Sequence, residues 1–201
     1  MDVNKYFFFL ERIGSRYYLI AGVVFILFYV VLKNKILHKK IQTLLPKNSD
    51  YLREIMYSTI TILMFGFIPL FFIANPVMKP HTTLYDSISD YGWGYYIVAY
   101  PIMFLMHDTY FYWTHRMMHH KLLFNTMHLV HHKSTNPSPW AAYAFHPFES
   151  IVEVGIFVIF LFINFFLQYF SFSLIFRFLL QYSKPFNHNS IILLLICEHL
   201  Q

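Results

Sequence analysis

Cysteine is almost absent from this 201-residue sequence: Cys197 stands alone, so neither a disulfide framework nor a cysteine-based zinc site is available. Charge is scarce as well. Asp, Glu, Lys and Arg make up 12% of the residues, while 57% are apolar and 24 are phenylalanine. Soluble domains carry about a quarter charged residues, so the deficit points to a lipid-facing protein. No basic helix or ribbon stands free, and the net charge of +5 therefore does not read as a nucleic-acid footprint. Its lysines sit beside apolar runs, as membrane topology asks. There is no GxGxxG, flavin or Fe–S motif, so any redox chemistry draws its electrons from elsewhere. A polar linker and an internal repeat are also missing, which makes residues 1–201 a single membrane domain.

The long apolar runs supply the architecture. Residues 17–32, YYLIAGVVFILFYVVL, carry no charge over sixteen positions. That is roughly 24 Å of helix against a hydrocarbon core of about 30 Å. Residues 57–77 are long enough to span outright, with Pro69 expected to kink the helix. A shorter run, 93–106, feeds directly into a histidine-rich stretch. Another, 154–176, follows that stretch, and Asn164 and Gln168 near its middle suggest a bent or hairpin pair. No small-residue cleavage site follows the first run, so it does not read as a signal peptide. The expectation is an all-α polytopic membrane protein of transmembrane or hairpin helices with a cytoplasmic, histidine-rich helical cap. Its orientation comes from Lys33, Lys35, Lys39, Lys40, Lys47 and Arg53, which crowd residues 33–56, whereas 78–92 holds Lys79 beside Asp86 and Asp90. The positive-inside rule puts 33–56, and with it the histidines, in the cytoplasm. Lys5, Arg12 and Arg16 pull the N-terminus the other way.

Residues 107–132, HDTYFYWTHRMMHHKLLFNTMHLVHH, gather seven of the twelve histidines and contain neither glycine nor proline. On a helix, Asp108, His115 and His119 fall on one narrow stripe at about 100° per residue. His128, His131 and His132 form a second stripe at i, i+3 and i+4. Two such faces opposed would converge five imidazoles on one volume, with His107 within side-chain reach beside it. A lone histidine in a membrane helix is ordinarily a satisfied packing residue. Seven at these spacings would be costly polar groups near hydrocarbon unless ligated. Metal binding leaves each neutral and satisfied, and Asp108 is placed to accept from a ligand's other ring nitrogen and fix its tautomer.

Imidazole suits zinc, copper, iron and nickel, so ligand type alone does not choose the metal. A structural zinc takes four donors, and the excess here favours a two-metal site. Arg116 follows His115, so HExxH is absent and zinc-protease chemistry lacks its base. A bis-histidine haem needs two opposed histidines rather than a cluster, and the FHPFE segment lacks the glycines of a cytochrome b5-type haem loop.

Three linked segments, HDTYFYWTHRMMHH, HLVHH and NPSPWAAYAFHPFE, cover residues 107–149. In order and spacing they resemble the fatty acid hydroxylase/sterol desaturase superfamily, above all its sterol C5-desaturase-like branch. The resemblance implies two non-haem iron ions held by histidines, O2 as co-substrate, and hydroxylation or desaturation of a membrane lipid, sterol or fatty acyl. Carried over residue by residue, it makes His115 and His119 the first ligand group, and His128, His131 and His132 the second. His107 matches an upstream histidine of some members. FNHNS (186–190) is similar to a Phe-x-His-Ser-Asn element and makes His188 a further ligand. His146 in the AFHP segment takes either a capping or a ligating role. Tyr112 and Trp113 read as packing, and Glu149 and Glu153 as favourable to the N-terminal dipole of the next helix. Cytochrome b5 or a ferredoxin, with its reductase, is the implied electron donor.

The family pattern has another HxxHH beyond the FNHNS element, where this sequence continues as IILLLICEHLQ with His199 alone. Whether truncated, frameshifted or a shortened relative, a chain of this length is expected to hold its second iron weakly and to oxidise lipid poorly or not at all. The competing readings are a non-catalytic metal-binding membrane paralogue and a metal transporter. The transporter reading suits poorly histidines clustered between apolar runs rather than spread across several spans.

Overall fold

The computed structural model describes residues 2–36, 45–85 and 87–163. His188 with its FNHNS element, and Asn164 and Gln168 of the last apolar run, lie outside the described residues. Among those described, the ordered elements are all helical and no β-strand forms. A chain that meets hydrocarbon must satisfy its own backbone N–H and C=O groups, and a helix does so within one segment.

Helix α1 (Val3–Phe25) starts at Asp2, whose side chain accepts from the Asn4 N–H at 3.1 Å. It runs without a break into a π-helical turn, Ile26–Val31, followed by the short α2 (Lys33–Ile36). Helix α3 (Asn48–Phe65) begins where the Lys47 N–H donates to Asp50 at 3.0 Å, and α4 (Phe67–Phe72) continues it past Gly66. The disturbance expected at Pro69 therefore falls slightly earlier, at Gly66. Pro69 offers no N–H to the carbonyl four residues back, that of Phe65. At Gly66 itself, an added side chain would run into Leu10 and Tyr6 of α1. The stretches Val3–Val31 and Asn48–Phe72 are each long and apolar enough to cross a membrane. The third apolar run does not stop before the histidines. Helix α5 (Gly92–Met118) carries it on past His107 and His115 in one piece of 27 residues, Pro101 included, about 40 Å in length. Helices α6 (Leu129–His132) and α7 (Pro147–Leu161) follow and are the last among the described residues.

Neighbouring helices run in opposite directions. Tyr6 at the start of α1 donates to the Leu63 carbonyl near the end of α3 at 2.8 Å, while at the other end Tyr29 meets Tyr51 edge to face. In α5 and α7, the Tyr110 hydroxyl donates to the Val152 carbonyl at 2.7 Å. The far end of α7 returns to the start of α5. There the Thr83 N–H donates to the Leu161 carbonyl at 2.9 Å, and Tyr85 packs on Tyr95.

Two apolar cores result. Tyr17, Ala21, Ile62, Ala142, Tyr143 and Phe145 join α1 and α3 to the segment that begins with the 3₁₀ turn Pro139–Tyr143. Phe65, Met103, Ile156 and Phe157 join α3, α5 and α7. The opposite faces are apolar too, with Leu19, Leu63, Leu105 and Ile151 all exposed. Exposed apolar surface spread over every long helix fits contact with lipid.

Gly155 in α7 lies beneath the Tyr110 hydroxyl, where a Cβ would collide with it. Gly155→Ala is expected to cost about 1–3 kcal/mol through overpacking. Adding Tyr110→Phe removes the colliding oxygen and should restore part of the loss. Unfolding in detergent checks both; an alanine variant as stable as the parent would show that the helices are not this close.

Candidate metal centre

The two histidine groups meet because α5 ends in a tight reversal. His115 and His119 occupy its last turn, where the His119 N–H still donates to the His115 carbonyl at 3.1 Å. The His120 carbonyl then accepts from the Leu123 and Phe124 N–H groups at 2.8 and 3.0 Å, and the π-helical turn Phe124–His128 leads into α6. Single π turns of this kind recur at functional sites.

The reversal lays His128 and His132 against the end of α5. Ring centroids of His115 and His119 are 4.6 Å apart, and His128 lies 4.6 Å from the first and 4.9 Å from the second. His132 adds a fourth ring, 4.9 Å from His119 and 4.7 Å from His128. One donor atom each from His115, His119 and His128 can be chosen so that all lie within 4.8 Å of one another, and the His115 and His119 Nε2 atoms approach to 3.0 Å. His131 borders the group, its ring stacked on His128 at 5.3 Å and tilted against Phe145. Two turns earlier on α5, His107 stacks on Phe111, and its Nδ1 sits 3.4 Å from Asp108. His146 caps α7, accepting from the Phe148 N–H at 3.3 Å, which is the capping role of the two its sequence context allowed.

Glu149, read from the sequence only as favourable to a helix dipole, and Glu54, which the sequence does not single out, are both buried. His128 Nδ1 lies 2.8 Å from Glu149 Oε1, and both side chains are about 1% exposed. Beside it, Ser150 shares a 2.8 Å hydrogen bond with Thr61 that ties the first turn of α7 to α3. Glu54 of α3, fully buried, accepts from both the N–H and the hydroxyl of Ser138 in the NPSPW segment. The same segment is held at the Trp140 carbonyl, which accepts from Tyr17 at 2.6 Å and Ser58 at 2.8 Å. A signal for Glu149 existed. Glu149 and Glu153 sit at i and i+4, on one face of a helix whose only other polar residue is Ser150, and both are buried.

Burial sets the electrostatics. It pushes the His128 imidazole down to about 4, and lowers His119 and His132, with His128 adding to both and His119 to His132. Neutral imidazole is the form that binds metal. The Nε2 atoms of His128 and His132 are buried with no hydrogen-bond partner among the described residues. Buried, unbonded nitrogens on rings that belong to a histidine cluster fit a transition metal that takes nitrogen donors.

A pH dependence follows for the metal-free protein. The folded-state values lie below the ordinary histidine value of about 6.5, so the unfolded chain binds protons that the folded site refuses. Stability is then full above about pH 6.5 and falls as the pH drops toward 4. The melting temperature is expected to be flat at neutral pH and to decline through that window; a flat profile down to pH 4 would show the rings to be solvated.

Comparison with known proteins agrees with this geometry. A family model described as fatty acid hydroxylase matches residues 100–198. A Delta(7)-sterol 5(6)-desaturase of Gibberella zeae is 35% identical over 101 residues, which is 50% of this chain and 31% of that protein. One from Aspergillus fumigatus is 40% identical over 76 residues, 38% of this chain and 24% of its own length. Lathosterol oxidase of Rattus norvegicus is 34% identical over 103 residues, 50% of this chain and 34% of the rat protein. The matched part spans about a third of the length of these relatives, or less. No solved structure matches the chain.

Proposed function

The chain belongs to the fatty acid hydroxylase/sterol desaturase superfamily, and on that premise we propose that it acts as a membrane non-haem di-iron oxidoreductase that uses O2 to hydroxylate or desaturate a lipid, sterol or fatty acyl. The observation that carries this reading is the convergence of His115, His119, His128 and His132, with two buried Nε2 atoms, those of His128 and His132, left without hydrogen-bond partners among the described residues. These four, with His131 beside them, are the core of the ligand set. His107 and His188 complete it, and Asp108 orients His107. Bound iron supplies the redox chemistry with O2 that removal of hydrogen from an unactivated C–H bond requires.

The chain's own residues hold and shield that chemistry. Phe124 packs against His119 and His132, and Phe145 against His131, so the rings are walled by apolar groups that keep water from the centre. The exposed apolar faces of the helices suit a substrate that arrives through the bilayer. Electrons come from cytochrome b5 or a ferredoxin with its reductase. The histidine centre faces the cytoplasm. Support for that side comes from Arg53, next to the lysine-rich segment, which donates to the Lys133 carbonyl at 3.1 Å, one residue beyond His132. Among the described residues, Lys47 and Arg53 thus share one end of the bundle with the histidines, and the positive-inside rule assigns that end.

Sterol and fatty acyl profiles of cells expressing the chain test the reading. A new hydroxylated or desaturated lipid is expected, low in yield where the second iron is weakly held, and it should vanish in a His115→Ala, His119→Ala double variant. A profile identical to that of cells without the chain would contradict it.

A further inference from the structure

We infer that Glu149 is the positioning residue of the histidine centre: it holds the proton of His128 on Nδ1 and so turns the Nε2 lone pair toward the rings of His115, His119 and His132. The inference rests on the proposed metal-binding role of that group. His128 Nδ1 and Glu149 Oε1 are 2.8 Å apart in a contact from which solvent is excluded on both sides. With Glu149 ionised, as its place in the first turn of α7 favours, it only accepts, so the shared hydrogen belongs to the imidazole and the other ring nitrogen is left as an acceptor. That nitrogen is the buried Nε2 with no hydrogen-bond partner among the described residues. The pairing therefore does two things at once. It selects the tautomer whose free lone pair is Nε2, and it raises the basicity of that nitrogen toward a cation.

The place of Glu149 is itself fixed by α7. His146 caps the helix, Pro147 opens it, and the Ser150 N–H donates to the His146 carbonyl at 2.9 Å. Glu149 thus stands in the first turn, where the helix dipole favours its charge. Neither the spacing of the histidines nor the Asp108 contact with His107 supplies a carboxylate to this ring group.

Cobalt(II) titration of the full chain in detergent, followed by ligand-field absorption, tests the inference with Glu149→Gln, Glu149→Leu and Ser150→Ala. The glutamine variant keeps the shape of the side chain and loses its charge. It is expected to bind cobalt about 10–100-fold more weakly with shifted bands, and the leucine variant at least as weakly. Ser150→Ala disturbs the packing of α7 without touching His128, and its affinity should match the parent. Nitrogen-15 spectra of the histidine rings in metal-free protein add a readout that packing alone would not move. The His128 proton is expected on Nδ1 in the parent and in Ser150→Ala, and without that preference in Glu149→Leu. Glu149 variants that bind cobalt like the parent would overturn the inference and leave the proposed function standing. So would equal weakening by Glu149→Gln and Ser150→Ala, which would reduce Glu149 to packing. A parent that binds no cobalt at these histidines would overturn both.

Discussion

Replacing His128 with alanine is expected to strip the purified protein of iron and to abolish the oxidation of lipid proposed for it. No other histidine among the described residues is so central. Its ring touches those of His115, His119, His131 and His132, and it is the one joined to Glu149. Removing it takes away one donor and leaves the buried Glu149 carboxyl without its imidazole partner. The remaining rings then face a water-filled gap in place of a fixed donor. His120→Ala is the matched control. His120 lies at the end of α5, outside the ring group, with Nδ1 3.4 Å from the Leu122 N–H, and its loss should leave iron content unchanged. Metal analysis and lipid profiles of the two variants check the expectation. Normal iron in His128→Ala would mean that the cluster is not where the metal sits.

Glu54→Ala should be the most destabilising single change in the scaffold, at about 3 kcal/mol. Glu54 is fully buried in α3, and one of its oxygens accepts both the N–H and the hydroxyl of Ser138. Truncation leaves those two buried donors without an acceptor, at about 1–3 kcal/mol each, offset in part by water entering the gap. Glu54→Gln retains an acceptor oxygen of the same reach and should lose much less. The structural consequence reaches the centre. The NPSPW segment connects α6, which carries His131 and His132, to α7, which carries Glu149. Loosening it should also lower metal affinity. Equal stability of the alanine and glutamine variants in detergent would show that the Ser138 contacts contribute little.

Much of this was legible in the sequence, and the limits have physical causes. Helical structure followed from apolar runs without alternation, and the pairing of His115 and His119 with His128 and His132 followed from spacings of three and four. What spacing could not give is the order of rings across the reversal between α5 and α6. That order puts His132 against His119 and leaves His131 stacked on His128, because the π-helical turn Phe124–His128 departs from 3.6-residue periodicity. Helix limits were blurred for a related reason. Hydropathy marks where a helix meets apolar surroundings and says nothing of where it ends, so α1 begins at Val3 and α5 runs on to Met118. Glu54 and Glu149 escaped because a carboxyl in sequence looks solvated. Its burial is decided by partners far along the chain, Ser138 in one case and His128 in the other.

Whether these histidines hold iron is tested by X-ray absorption at the iron K-edge of protein purified from iron-replete cells. Bound iron is expected, with a first shell of nitrogen and oxygen donors and the outer-shell scattering of several imidazoles, weakened in His128→Ala. Protein that carries no iron, or iron without imidazole in its shell, would contradict it.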